Sequence, residues 1–190
     1  MPRVTTKPDT LDAENLKFAQ APLKRHVFLN SVPKSGSHLL RNIVRMFVPI
    51  GQQYGVQFIQ HPNLQEHLSA FEGAPKLSWG HLLFSDAAAI ELQGAKKVVL
   101  YRDPHSWVLA RARFFLSDEF SGNIDHVKGG KITVPELLNL MIFGIYQKVP
   151  SMLDLYTHNA VAWLGVAHGV VKYEALIANL KRLDTLAAEV

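Results

Sequence analysis

Cysteine is absent from all 190 residues. That excludes a disulfide framework and a thiolate metal site. Long apolar runs are also missing. The most apolar stretch, Leu137 to Ile145, is too short to cross a bilayer and is broken by Asn139. Nothing reads as a leader segment, so a cytoplasmic protein with no membrane partner is expected. Neither sign of charge is in large excess: 20 Lys and Arg stand against 16 Asp and Glu, for a net charge of +4. The basic residues are scattered and not interleaved with aromatics, so nucleic acid is not an expected partner, whereas an anionic ligand suits the balance. Internal repeats and low-complexity segments are absent. What remains is 48% hydrophobic and 19% charged, a composition that folds around a real core.

The chain is organised around His26-Val27-Phe28-Leu29-Asn30-Ser31-Val32-Pro33-Lys34-Ser35-Gly36-Ser37-His38-Leu39-Leu40. The pattern predicts strand, tight loop, helix. Val27, Phe28 and Leu29 form the apolar run of a parallel strand covered on both faces. Pro33 has no N–H for a ladder and ends the strand. Gly36 permits a close or left-handed backbone. From Ser37 onward Leu39, Leu40, Ile43, Val44 and Phe47 share one helical face, with Arg41 and Arg45 on the other. The N–H groups of Ser35 to Leu39 are then expected to be free at a helix N-terminus, which attracts anions. Lys34 adds a full charge, and the Ser35 and Ser37 hydroxyls add donors. A phosphate or sulfate is the ligand this loop suits; a plain turn with a solvated Lys is the alternative.

Three further blocks follow. Lys76-Leu77-Ser78-Trp79-Gly80-His81 predicts a short strand ending at His81, and Ser85 or Asp86 caps a helix through Leu92, closed by Gly94. A His just past a parallel strand can face a ligand; with nine His in the chain, a structural role is the alternative. Lys96 to Pro104 predicts a strand followed by a helix start, with Asp103 as N-cap and Pro104 as first helical residue. Arg102 stands at that strand's end, where a guanidinium grips a phosphate bidentately or pairs with a nearby carboxylate such as Asp103. Val170 and Val171 predict a fourth strand, and Tyr173-Glu174-Ala175-Leu176 opens the last helix.

These blocks, in this order over roughly residues 26 to 180, resemble the sulfotransferases that use 3′-phosphoadenosine 5′-phosphosulfate (PAPS). Pro33-Lys34-Ser35-Gly36-Ser37 is similar to their phosphosulfate loop, Pro-Lys-Ser-Gly-Thr-Thr-Trp, with His38 and Leu39 replacing the second Thr and the Trp. Gly80-His81-Leu82 resembles the segment with the catalytic His, although Trp79 holds the place of a Lys common there. Tyr101-Arg102-Asp103-Pro104 looks like the 3′-phosphate motif, whose Ser, eight residues after the Arg, is Ala110 here. Lys172-Tyr173-Glu174-Ala175-Leu176 resembles an Arg-Tyr-Glu-Asp-Leu block whose Tyr lies near adenine. The resemblance implies a sulfuryl transfer from PAPS, as co-substrate and without metal, to a hydroxyl or amine of a small-molecule acceptor. It assigns His81 as general base and Lys34 as stabiliser of charge on the bridging oxygen. Lys34, Ser35, Gly36, Ser37, His38, Leu39, Arg102 and Tyr173 become the nucleotide-binding residues. The family's Gly-rich closing segment over the 3′-phosphate has no counterpart before Val190, so a truncated or naturally short relative is expected.

The expected fold is α/β: a three-layer sandwich on a mainly parallel sheet, with strands near 27–31, 76–80, 97–101 and 169–173 and right-handed crossovers. Residues 1–25 read as an N-terminal arm with a short helix around Asp12 to Ala19, and 26–190 as the α/β domain. Gly51, Gly55, Pro62 and Gly73 punctuate a weakly patterned stretch with a short helix at Leu64 to Phe71; His61 and His67 there lack metal-ligand spacing. Ser117 to Lys131 reads as a polar loop. Pro135 to Lys148 predicts a helix apolar almost all round, hence core before acceptor wall, and Ser151 caps a helix through Trp163. Two other classes fit the loop: a P-loop kinase or NTPase, whose Gly spacing the chain lacks although Ser35 follows Lys34, and a non-catalytic nucleotide-binding relative.

Overall fold

In the computed structural model, residues 9–54, 58–60, 64–122 and 125–189 are described. Four strands, β1 (Val27–Ser31), β2 (Leu77–Gly80), β3 (Lys96–Tyr101) and β4 (Gly169–Lys172), form one parallel sheet in the order β2-β1-β3-β4. All four lie within a residue of their predicted positions. The helices are α1 (Leu11–Asn15), α2 (Ser37–Arg45), α3 (Leu64–His67), α4 (Asp86–Glu91), α5 (Pro104–Phe115), α6 (Val134–Phe143), α7 (Met152–Asn159) and α8 (Tyr173–Glu189).

Alternation along the strands builds two cores. Phe28 and Val99 point into the larger one, packed with Trp107, Phe115, Met141, Leu155 and Trp163 from the segments between β3 and β4. Leu29 and Leu100 point the other way, against Leu40 of α2 and Leu176 of α8. The sheet is therefore the middle of three layers, and its central strand β1 is buried apart from Val27. Because the chain leaves β1 toward β2 and leaves β3 toward β4, the connections part at the β1–β3 boundary. Such a switch point opens a crevice at the strand C-termini. Register brings Ser31, Gly80, Tyr101 and Lys172 to that one edge.

Capping follows the sequence closely. Ser85 accepts the Ala88 N–H, Asp103 accepts those of His105 and Ser106, and Ser151 forms a capping box with Asp154. Three helix boundaries differ from expectation. The helix predicted over Pro135 to Lys148 stops at Phe143, because Gly144 adopts φ 72° and breaks it; Phe143 is consequently 74% exposed. The helix predicted from Ser151 through Trp163 ends at Asn159 and resumes as a single 3-10 turn at Val161–Trp163. The first helix covers Leu11–Asn15, and Asn15 is buried, donating to the Val48 carbonyl at 2.9 Å. On α2 only Leu40 is fully buried, and Phe47 lies beyond the helix, half exposed and edge-on to Phe18. The polar stretch Ser117 to Lys131 contains a 3-10 turn at Asp125–Gly129.

His67 has a structural role, its Nδ1 2.9 Å from the Tyr54 hydroxyl, while His61, Gly55 and Pro62 lie outside the described residues. No helix among the described residues is long and apolar enough to cross a membrane.

Candidate active site

The loop after β1 is held from three sides. Val32 donates to the Leu100 carbonyl at 3.1 Å, the buried indole N–H of Trp107 donates to the Pro33 carbonyl at 2.6 Å, and the Ser35 N–H turns back to the Val32 carbonyl at 3.1 Å. That last bond corrects one expectation: the Ser35 N–H is consumed by the turn. Leu40 donates to Gly36, so the N–H groups of Gly36, Ser37, His38 and Leu39 have no acceptor among the described residues. They are the four orphan donors every helix start carries. Beside them the Ser35 hydroxyl is fully buried and also lacks a partner. Buried hydroxyls ordinarily find partners. This set of unmatched donors fits a sulfate or phosphate oxygen set.

Two residues of the loop take left-handed backbone, Lys34 at φ 67° and Gly36 at φ 94°. At Gly36 the conformation coincides with a close approach: an added Cβ would lie 2.5 Å from the Tyr173 ring. Tyr173 thus sits directly on the loop. Gly36→Ala combines a left-handed alanine, about 1–2 kcal/mol, with displacement of that ring. We expect a fall in thermal midpoint of at least 2–4 °C, the shift that about 1 kcal/mol gives a chain of this size, together with weakened anion binding. An unchanged midpoint would mean that Tyr173 does not pack there.

Arg102 joins the group through Tyr173. Its guanidinium lies 4.3 Å over the Tyr173 ring, a cation–π contact. Its Nε donates to the Ser106 hydroxyl at 3.0 Å and is 3.9 Å from the Glu174 carboxylate. The carboxylate partner is therefore Glu174, not Asp103, which is occupied as the α5 cap. Burial works to raise the pKa of Glu174, but the Ser106 hydroxyl and the Asp103 N–H hold it below the ordinary value. The terminal guanidinium nitrogens of Arg102 have no partner among the described residues. They can still take a bidentate anion. Ala110 stands where the resembled motif has a Ser; one turn earlier on α5, Ser106 places a hydroxyl at Arg102.

His81 lies just past β2, at the edge predicted. Its Nδ1 is 3.0 Å from the Ser31 carbonyl and 3.1 Å from the Ser31 hydroxyl, which in turn is 2.7 Å from the Ser37 hydroxyl. A carbonyl can only accept, so Nδ1 carries the proton and Nε2 is left as the basic lone pair. The Phe58 ring stacks on the imidazole at 4.8 Å. Burial pushes the His81 pKa down to about 4, assisted by the positive charge of Lys34 and partly opposed by the Ser31 carbonyl. The ring is neutral at pH 7. Asn30 fixes the turn that carries it, exchanging hydrogen bonds of 2.8 and 2.9 Å with the backbone of Leu82.

His81 and Lys34 line one cavity of about 380 Å³, together with Pro33, Leu83, and Leu155 and Asn159 of α7. The expected core role of α6 agrees with its buried Leu137 and Met141, and the helix that lines this cavity is α7. The Lys34 ammonium is 3.1 Å from the centroid of the Phe114 ring, and its desolvation lowers its pKa. His38 sits on the helix start with its ring tilted 58° to that of Phe58, and its pKa is lowered by partial burial and by Arg41 and Lys34. Leu39 contributes its N–H. Among the described residues, no group of three His, Asp or Glu is placed to hold a metal ion.

Ser31, Phe114, Ser106 and Asn159 escaped sequence reasoning. Ser31 carried a usable signal, a polar residue at the C-terminal end of a buried strand. Phe114 and Asn159 are placed by tertiary packing alone.

No family model matches the chain, and no curated protein matches it in sequence. Among solved structures it is similar to mouse sulfotransferase SULT7A1 complexed with PAP, with a TM-score of 0.59 and 16% identity. The alignment covers 95% of this chain and 62% of that one, so the chain spans somewhat less than two thirds of its structural relative. Four parallel strands flanked by helices, with a loop of free donors after the first strand, thus constitute a sulfotransferase fold.

Proposed function

We propose that the protein transfers a sulfuryl group from PAPS to a hydroxyl or amine of a small-molecule acceptor. The observation that carries this reading is the cavity lined by both His81 and Lys34, with Lys34 on the loop whose following N–H groups, Gly36 to Leu39, have no acceptor among the described residues. PAPS bound there would supply the activated sulfuryl group. The free N–H groups of Gly36 to Leu39, the orphaned Ser35 hydroxyl and Lys34 would hold its sulfate and 5′-phosphate oxygens. Tyr173, with its ring between the loop and Arg102, would line the nucleoside side. Arg102 would grip the 3′-phosphate.

The chain's own residues divide the labour. His81 takes the acceptor's proton on Nε2, while the Ser31 carbonyl keeps Nδ1 protonated and the ring oriented. The Ser37–Ser31–His81 hydrogen-bond series ties the base to the loop, so both hold one geometry. Lys34 supplies positive charge where the leaving oxygen gathers negative charge. The orphan donors need no reorganisation to meet an anion, which is the advantage of a pre-formed site. Transfer assayed with labelled PAPS over phenols, alcohols and amines tests the proposal; labelled product with none of them would reject it.

A further expectation concerns the 3′-phosphate. A charge-assisted bond contributes about 1.5–3 kcal/mol and a neutral one about 0.5–1.5. Arg102→Ala should therefore cost roughly ten- to a hundredfold in preference for the 3′-phosphorylated nucleotide. Ala110→Ser should add less than that. Isothermal titration of both variants with 3′-phosphoadenosine 5′-phosphate and adenosine 5′-phosphate measures the two effects; equal losses for both nucleotides in Arg102→Ala would place Arg102 outside 3′-phosphate recognition.

A further inference from the structure

Asn159 is the last residue of α7 and is completely buried, yet neither its amide nitrogen nor its amide oxygen has a hydrogen-bond partner among the described residues. A buried amide with both ends unmatched is costly, because the desolvation of donor and acceptor is uncompensated. The position is not loosely held. The Phe84 N–H donates to the carbonyl of His158 at 2.9 Å, and the Trp163 indole N–H donates to the Leu82 carbonyl at 2.9 Å. These bonds lock the end of α7 to the segment that carries His81. Asn159 lines the same cavity as His81 and Lys34, beside the apolar Leu83 and Leu155. An unmatched amide on rigid supports, in a residue that lines the cavity, is one that a polar ligand group there can complete.

We propose that Asn159 is a specificity residue that recognises a second polar group on the acceptor. This rests on reading the cavity as the acceptor pocket. A primary amide presents a donor and an acceptor and no net charge. A neutral group that both donates and accepts, a hydroxyl or a carboxamide, satisfies it. A carboxylate would leave the amide oxygen facing an anion, and an ammonium would leave the amide N–H groups unmatched. The volume of about 380 Å³ lies near the lower end of the roughly 300–1,000 Å³ of ligand pockets. The acceptor is therefore small, with an apolar body against Leu83 and Leu155, one nucleophilic hydroxyl toward His81 and a second neutral polar group toward Asn159.

The test uses four matched probes: phenol, resorcinol, 3-hydroxybenzamide and 3-hydroxybenzoate. Binding is measured by calorimetry and transfer by kcat/KM, in the parent and in Asn159→Leu, with Asn159→Ala as a second variant. The parent should prefer resorcinol or 3-hydroxybenzamide over phenol tenfold or more, with 3-hydroxybenzoate last. Which of the first two leads distinguishes a hydroxyl from a carboxamide. Both variants should lose the preference. Asn159→Leu, which replaces an unmatched amide by an apolar group of similar volume, should melt no lower than the parent. A parent that does not discriminate, a variant that keeps the preference, or a markedly lower midpoint for Asn159→Leu would each overturn the assignment, the last by making the amide structural. Binding discrimination without any transfer would reject sulfuryl transfer but sustain the role of Asn159. Transfer without discrimination would do the reverse.

Discussion

His81→Ala is expected to lower sulfuryl transfer by about 10²–10⁴-fold, the usual worth of a positioned general base, while the affinity for 3′-phosphoadenosine 5′-phosphate stays close to the parent's. The separation follows from geometry. His81 lines the cavity beyond β2, whereas the anion donors lie on the loop after β1, joined to it by hydrogen bonds through Ser31. Because burial holds the His81 pKa at about 4, the acid limb of kcat/KM in the parent should lie near pH 4 and not near the 6.5 of a free imidazole. The same depression makes stability depend on pH with a definite sign. Between about pH 4 and 6.5 the unfolded chain binds the proton and the folded one does not, so stability contributed by the neutral ring is full above the unfolded pKa and falls as pH drops through this window. Near-normal turnover in His81→Ala, or an acid limb near 6.5, would remove His81 from the proton transfer assigned to it. Denaturation profiles from pH 7 to 4 check the linkage, and His81→Gln should flatten them.

Lys34→Ala should lower kcat by about 10²–10³-fold, the loss seen when one preorganised stabiliser of transition-state charge is removed, with a smaller effect on binding of the product nucleotide. In the structure the ammonium rests on the Phe114 ring, and Lys34 takes an uncommon left-handed backbone. A site held in such a conformation has its charge committed to one position before any ligand arrives. Charge that appears mainly in the transition state reports in kcat. A rise in KM with unchanged kcat would make Lys34 a ground-state binding residue only.

Much of this architecture was legible in the chain because its signals are local. Val27 to Leu29, Val98 to Tyr101 and Val170 to Val171 are apolar runs bounded by turn or cap residues, and each became a parallel strand. Ser85, Asp103 and Ser151 capped the helices expected of them. Lys34, His81, Arg102 and Tyr173 were recognisable by their places after strands, and parallel register then carried all four to one sheet edge. The failures are of another kind. Nothing local says that the Ser35 N–H turns back to Val32, that Arg102 meets Ser106 and Glu174, or that α7 lines the cavity with His81. Those outcomes depend on which faces pack across tens of residues. The early end of α6 at Gly144 was readable in principle, since glycine readily takes the positive φ that stops a helix; the apolar run past it, through Ile145, masked the signal.

The central claim is that the loop after β1 and Arg102 together hold a 3′-phosphorylated adenosine nucleotide. The measurement that tests it most directly is calorimetric titration of the full chain with 3′-phosphoadenosine 5′-phosphate against adenosine 5′-phosphate. Binding of the first, tighter by roughly tenfold or more as a charge-assisted pair with Arg102 implies, is the predicted result. No binding of either nucleotide, or equal affinity for both, would contradict it.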